Sequence, residues 1–309
     1  MRCVDGKPTP HRSAHRRDFF KTGAAAAAGW AVGTSPARAE GTASGRLGNG
    51  VFLEAERSIP IVAEADVVVC GGGPAGVSAA VAAARAGAGT RLIEANGCIG
   101  GIWTGGLLSY LLDYGNKPGI MQEILARLRE REEDARRAPN MYDPEAMKLV
   151  LEEMCLEAGV GIQLHTQCAA AVRNGADRLA LVVTESKSGR EAVAGKVFID
   201  CTGDGDVAHK AGCGWDYGRP EVGDAQPMSF IVLIPYRSLV AADVDGLMMA
   251  GRCISGDFYA HSAYRVTGNA VAMGEAAGFA AATAVKNNVL PHEVDWAELR
   301  KAAPWAERT

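Results

Sequence analysis

Residues 67–80 read VVVCGGGPAGVSAA, with Gly71, Gly73 and Gly76 spaced as G-x-G-x-x-G between a run of valines and a run of alanines. A strand buried on both faces reads as a continuous apolar run, so the stretch predicts strand, tight turn and helix in that order. GTRLIEA at 89–95 reads as a second strand and completes a βαβ unit. In such a unit Gly71 permits the turn, Gly73 lets a pyrophosphate approach the backbone, and Gly76 lets helix and strand touch. Pro74 and Ala75 open the helix, whose free N–H groups and dipole favour an anion. Glu94, ending the second strand, is positioned to accept hydrogen bonds from a ribose diol. NAD and FAD share this fingerprint, and the stretch alone leaves both open.

The surrounding composition narrows the classes. The chain has 309 residues, 48% hydrophobic and 22% charged, as a globular protein with one large or two small domains would have. Aromatic residues make up 6%, and no basic tract occurs, which argues against a nucleic-acid partner. Before any fold reasoning, residues 1–39 are set aside as an export signal. Arg16-Arg17, then Phe19, Phe20 and Lys21, precede a mild apolar stretch from Thr22 to Gly33, and Ala37-Arg38-Ala39 offers small residues for cleavage. The pattern is that of a twin-arginine signal, too short for a permanent membrane span, and it implies a periplasmic or otherwise exported protein. Residues 40–309 then hold 25 Lys and Arg against 34 Asp and Glu, net near −9, which disfavours phosphate backbones and anionic membranes. The eight cysteines show no C-x-x-C and no metal-ligand spacing, so they read as small buried hydrophobes, and no metal is expected.

Residues 40–60, polar and Gly-rich, read as a linker. Beyond the βαβ unit come a glycine-rich loop at 96–108, a helix from Gly119 to about Arg137, and a helix from Pro144 to Glu157 with Asp143 as its N-cap. A short strand IQLHT follows, and residues 169–200 alternate as a β-meander with Asn174-Gly175 as one hairpin turn. LMMAGRCISG at 247–256 is again strand and turn, GNAVAMGEAAGFAAATAVKN at 268–287 is a long Ala- and Gly-rich helix, and 290–309 is a tail. The resulting fold class is α/β: a Rossmann-like dinucleotide-binding domain over 61–289 with a central parallel sheet, the β-meander, and a small helical insertion at about 107–158.

A flavin needs a second anchor for the electron-rich edge of its ring, and backbone donors at Gly268 and Asn269, opening the last long helix, would supply one. At this point four motifs together resemble the FAD-dependent oxidoreductases of the glutathione-reductase-like flavoprotein type. They are VVVCGGGPAG with Glu94, CIGGIWTGG at 98–106, FIDCTGDGDVAHKAG at 198–212, and LMMAGRCISG with HSAYRVTGNAVAMGEAAG between 247 and 278. The resemblance spans most of residues 61–287 and implies bound FAD. It places Gly100 and Gly101 by the ribose and pyrophosphate, Thr202 and Gly203 at a turn on the adenine side, and Gly251 and Arg252 beside the flavin. GDGDVA also spells G-x-G-x-x-A, but HKAGCGWDYGRPE after it is too short and polar for a second βαβ unit, so a nicotinamide domain is not expected. The absence of a cysteine pair near the flavin loop argues against disulfide reductase chemistry, and Cys98 reads as packed.

For catalysis the candidates are His261, as a proton acceptor when hydride leaves, and Arg265, steadying reduced flavin or a substrate carboxylate. The competing reading makes His261 polar surface and Arg265 the partner of a helix-end carboxylate. Trp103 and Thr104 read equally as flavin-facing or as core. The family usually carries a long segment before the late strand, whereas here QPMSFIVLIPYRSLVAADVDGLMMAGR, 226–252, joins the two edges directly. A second subunit or homo-oligomer covering the flavin would compensate. Two functions follow as expectations: an exported oxidoreductase moving hydride from a small organic substrate to flavin and on to an unknown electron acceptor, or a shortened flavin-binding protein without turnover.

Overall fold

The computed structural model describes residues 45–131, 140–175, 177–215 and 234–303. The expected export signal and the segment QPMSFIVL lie outside them. The chain divides into two units, residues 1–58 and 59–309. In the first, β1 (Gly45–Gly48) and β2 (Val51–Glu54) pair antiparallel. These strands lie within the segment read as a linker, 40–60, and make residues 45–54 of it a hairpin. Asn49 at φ 51° and Gly50 at φ 74° form the left-handed pair that a two-residue hairpin turn requires.

The second unit opens with β3 (Ile61–Cys70), α1 (Pro74–Arg85) and β4 (Thr90–Ile93), the βαβ unit expected from the glycine fingerprint. A 3-10 turn at Gly101–Trp103 leads to α2 (Ile120–Arg131) and α3 (Pro144–Glu157). Asp143 caps α3, accepting the Glu145 N–H at 2.8 Å, and Pro144 sits in the first turn, where its missing N–H leaves no helical bond unmade. Then come β5 (Gly161–Gln163), β6 (Gln167–Asn174), β7 (Arg178–Ser186), β8 (Gly189–Asp200) and the short α4 (Asp206–Lys210). The chain finishes with β9 (Leu247–Met249), α5 (Phe258–Tyr264), α6 (Thr267–Asn287) and α7 (Trp296–Ala302).

Seven strands form one mixed sheet in the order β5-β4-β3-β8-β7-β6, with β9 on the other side of the end of β8. The pairs β5/β4, β4/β3, β3/β8 and β8/β9 are parallel, while β6, β7 and β8 form the antiparallel meander. β8 serves both layers, a point that alternation alone does not reveal. Its residues 189–194 face β7, and Val197, Phe198 and Ile199, all buried, continue into the parallel core beside β3 and β9.

The small residues of α6 meet α1. A Cβ built on Gly274 would lie 2.0 Å from the Ala75 carbonyl oxygen, and one on Gly278 would lie 2.0 Å from that of Ala79. Both pairs are spaced by four residues, so the i, i+4 ridge of each helix meets that of the other with no side chain between. The Ala- and Gly-rich composition of α6 thus serves a close contact between two helices.

Candidate functional site

The carboxyl ends of the parallel strands β3, β4, β8 and β9 converge on one cleft of about 750 Å³. Ligands of open parallel sheets bind at this edge, where loops diverge and leave a crevice. Its lining includes Gly71, Gly73, Pro74 and Ala75 from the first turn, Glu94 and Gly101 after the second strand, Thr202 and Gly203 after β8, and Gly251 and Arg252 after β9. Four separate stretches of sequence thus meet around one space.

Each fingerprint glycine has its own neighbourhood. Gly71 has φ 99°, and a Cβ there would be 2.4 Å from the Cys201 carbonyl oxygen. A Cβ on Gly76 would be 1.7 Å from the Gly71 carbonyl oxygen, whereas one on Gly73 would have nothing within 4 Å. Gly76 therefore belongs to the packing beneath the cleft and Gly73 to its open face. No side chain caps α1, so its first turn keeps its dipole turned to that face. The Gly100 N–H donates to the Gly72 carbonyl at 2.6 Å, and this bond draws the following loop over the turn until a Cβ on Gly101 would be 2.9 Å from the Gly73 Cα.

Glu94, 5% exposed, binds the turn it faces. Its Oε2 accepts the Gly72 N–H at 2.6 Å, and its Oε1 accepts the backbone N–H and side-chain amide of Asn96, each at 2.7 Å. A carboxylate offers about four acceptor positions, so Oε2 retains capacity for one more donor. The fully buried Asp200 organises the opposite wall. Its Oδ1 accepts from Thr202 N and Oγ1 at 3.0 and 2.7 Å, and its Oδ2 accepts from Val207 N and Ala208 N, both at 2.9 Å. Burial raises the Asp200 pKa, against the lowering effect of these donors. The first turn of α4 is thereby taken up by the chain's own carboxylate.

The late segment differs more from the sequence reading. Arg265 and Thr267 line the cleft, but Gly268, Asn269 and His261 do not. The Gly268 N–H donates to the Leu112 carbonyl at 3.2 Å, and the Asn269 amide donates to the Ala263 carbonyl at 3.1 Å. The loop before α2 thus takes the Gly268 backbone donor, and neither residue is brought to the cleft lining. His261 holds its Nε2 2.6 Å from the Arg252 carbonyl oxygen, with its ring edge-on to Tyr264 at 5.1 Å. Arg252 turns its guanidinium across Gly203 to Asp204, 3.0 Å away. Trp103 and Thr104 are fully buried and outside the lining, and the Thr104 hydroxyl donates to the Ile99 carbonyl at 2.7 Å, so of the two readings of this pair the structure favours core.

The cleft also gathers residues that sequence reasoning missed, including Asn96, Ile102, Gln167, Cys168 and Lys210. Lys210 was legible as the residue one helical turn beyond Asp206, to which it pairs at 3.3 Å. Gln167 and Cys168 had no local signal. They arrive because the Thr166 N–H donates to the Glu94 carbonyl at 3.0 Å and brings the start of β6 to the end of β4.

A family model described as FAD dependent oxidoreductase matches residues 66–233 and 232–302. No curated protein matches the chain. Among solved structures, Thermovibrio ammonificans THI4 is 16% identical, covers 72% of this chain and 90% of its own, and superposes with a TM-score of 0.51. A geranylgeranyl bacteriochlorophyll reductase-like protein from Thermoplasma acidophilum is 15% identical over 73% of this chain and 80% of its own, at a TM-score of 0.46. The myxobacterial halogenase CndH, described as a variant of FAD-dependent halogenases, is 16% identical over 46% of this chain and 38% of its own, at 0.37.

Proposed function

The chain belongs to the FAD-dependent oxidoreductases and takes FAD as its cofactor, and from that premise we propose that it removes a hydride from a small organic substrate and passes the electrons to a separate acceptor. The observation that carries this reading is the open face of Gly73 at the uncapped start of α1, inside a cleft large enough for an extended ligand. Donor chemistry supports the fit as well. The start of α1 offers positive potential for a pyrophosphate, and Glu94 retains acceptor capacity for a ribose hydroxyl. Bound there, FAD supplies a two-electron acceptor that no side chain provides.

The residues of the chain do the rest. Glu94 and Asp200 fix the two walls, and Arg265 presents a permanent positive charge to the space between them. His261, held on the Arg252 carbonyl, acts as a positioning residue for the Gly251–Arg252 turn. We further propose export by the twin-arginine route, on the strength of Arg16-Arg17 and the apolar stretch that follows.

The test begins with the visible spectrum of the purified protein, followed by anaerobic titration with alcohols, amines, sugars and hydroxy acids. Flavin bands that bleach with one substrate class support turnover. Bands that no class bleaches would sink the enzyme reading and leave a flavin-binding protein. Fractionation of cells with and without a functional twin-arginine translocase tests export, and equal distribution in both would refute it.

A further inference from the structure

We propose that Cys168 and Cys70 are a redox-active thiol pair in the wall of the cleft, oxidised to an internal disulfide by a low-molecular-weight disulfide that enters the cleft. Both thiols are free in the structure. They are distant in sequence, and in the sheet β8 and β7 stand between β3, which ends at Cys70, and β6, which begins at Gln167. The bond from the Thr166 N–H to the Glu94 carbonyl turns the start of β6 back over the strand ends, and Cys168 packs against the buried cluster that holds Cys70. The two side chains meet there: a hydrogen bond to Cys168, then burial and the nearby Asp200, push the Cys70 thiol well above its ordinary pKa. Side chains already in contact reach S–S bonding distance through small shifts of their own, without moving the strands.

Access sets the order of events. Cys70 is fully buried, whereas Cys168 is half-buried and lines the cleft, whose volume of about 750 Å³ admits a small peptide disulfide. A buried thiol held in its protonated form is inert to reagents in solution, so the reaction begins at Cys168. The Cys168 thiolate attacks one sulfur of the reagent, forming a mixed disulfide, and the other half leaves and takes up a proton as a thiol. Cys70, already against this sulfur, gives up its proton, attacks it, and expels the second half as a thiol. The protein pair thus loses two electrons and two protons, and the reagent gains both. Two neighbouring cysteines are placed differently. Cys201 lines the cleft but belongs to the other core cluster, with Val67 and Val69. Cys253 directs its thiol to the Asp200 and Ala250 carbonyls at 3.3 and 3.5 Å. Because Cys168 sits at the Glu94 end of the cleft, bound FAD should cover it, and this consequence alone rests on the cofactor reading.

The purified full chain would be incubated with oxidised glutathione before and after saturation with FAD, alkylated, and digested without reduction for mass spectrometry. The expected product is one peptide pair joined through Cys70 and Cys168, lighter by two hydrogens than the separate peptides, with no glutathione retained. Its formation should slow several-fold once flavin absorbance shows the cofactor bound. Cys70→Ala should halt the reaction at a stable glutathione adduct on Cys168, and Cys168→Ala should leave Cys70 unmodified. If Cys70→Ala fails to fold, the wild-type and Cys168→Ala proteins carry the comparison. Glutathione that persists on Cys168 of the wild type, a cross-link through other cysteines, or full retention of both thiols would overturn the pair. A cross-link formed equally fast with flavin bound would overturn entry through the cleft. A Cys70–Cys168 cross-link in protein that takes up no flavin supports the pair and removes the cofactor reading, whereas bound flavin with both thiols retained does the reverse.

Discussion

Gly76 and Gly71 touch so closely that a Cβ on the first would lie 1.7 Å from the carbonyl oxygen of the second, while Gly73 between them faces open space. One motif therefore contains a packing glycine and a cleft-facing glycine, and the same mutation should separate them. Gly76→Ala must push α1 off β3, and the expected loss is about 3 kcal/mol, the upper end of overpacking. Gly73→Ala, at φ −70° and with free space ahead, should change stability by less than about 0.5 kcal/mol. It should nonetheless weaken FAD binding at least about tenfold, because its methyl group takes up the pyrophosphate's approach. Thermal unfolding and flavin content of both variants check the pair, and equal behaviour would refute the division of roles.

Gly274 and Gly278 offer a second packing test away from the cofactor. Alanine at either position gains about 1 kcal/mol of helix propensity but forces α6 away from the Ala75 or Ala79 carbonyl. Net destabilisation of about 1 to 2 kcal/mol is expected, since backbone cannot rotate aside as a side chain does. A Gly274→Ala protein with a raised Tm would show that the helices are not held in this contact.

Asp200 is expected to act through the wall it builds. In Asp200→Asn one acceptor oxygen becomes an NH2 group facing existing donors, either at Thr202 or at Val207 and Ala208. The expected loss is about 3 kcal/mol of stability together with reduced flavin content, as the 201–206 turn shifts. Urea unfolding of flavin-free protein isolates the structural part, and an unchanged midpoint there would argue against the assignment.

Glu275 gives the fold a pH dependence. Its carboxylate accepts the Ile120 N–H at 3.1 Å and lies against Gly119, and burial pushes its pKa up to about 7 from an ordinary 4.5. Arg85 opposes that rise and Glu123 adds to it. Because the folded pKa lies above the unfolded one, the stabilisation is fully present below pH 4.5 and is lost as pH rises through 7. The shift corresponds to at most roughly 3 kcal/mol. Glu275→Gln, which keeps an acceptor for Ile120, should flatten the Tm profile between acid and neutral pH, and parallel profiles for the two proteins would contradict this.

Local sequence determined the elements that depend on local physics. The apolar run before Gly71, the spacing of the three glycines and the Asp143-Pro144 pair fix strand, turn and helix start through sterics and capping within a few residues. The Asn49-Gly50 hairpin was legible in the same way, as turn chemistry inside a segment whose polarity suggests a linker. The family resemblance joined four distant motifs, and the cleft does bring residues from all four together. Only the tertiary structure decided who meets whom. The glycines of α6 meet α1, the Gly268 N–H goes to Leu112, His261 turns to Arg252, and the start of β6 reaches Glu94. A small residue or a free N–H specifies that something can come close, but which group fills the space depends on chain paths set by the whole core. Such pairings carry no local signal, and they divide the glycines that face the cleft from those that hold the fold.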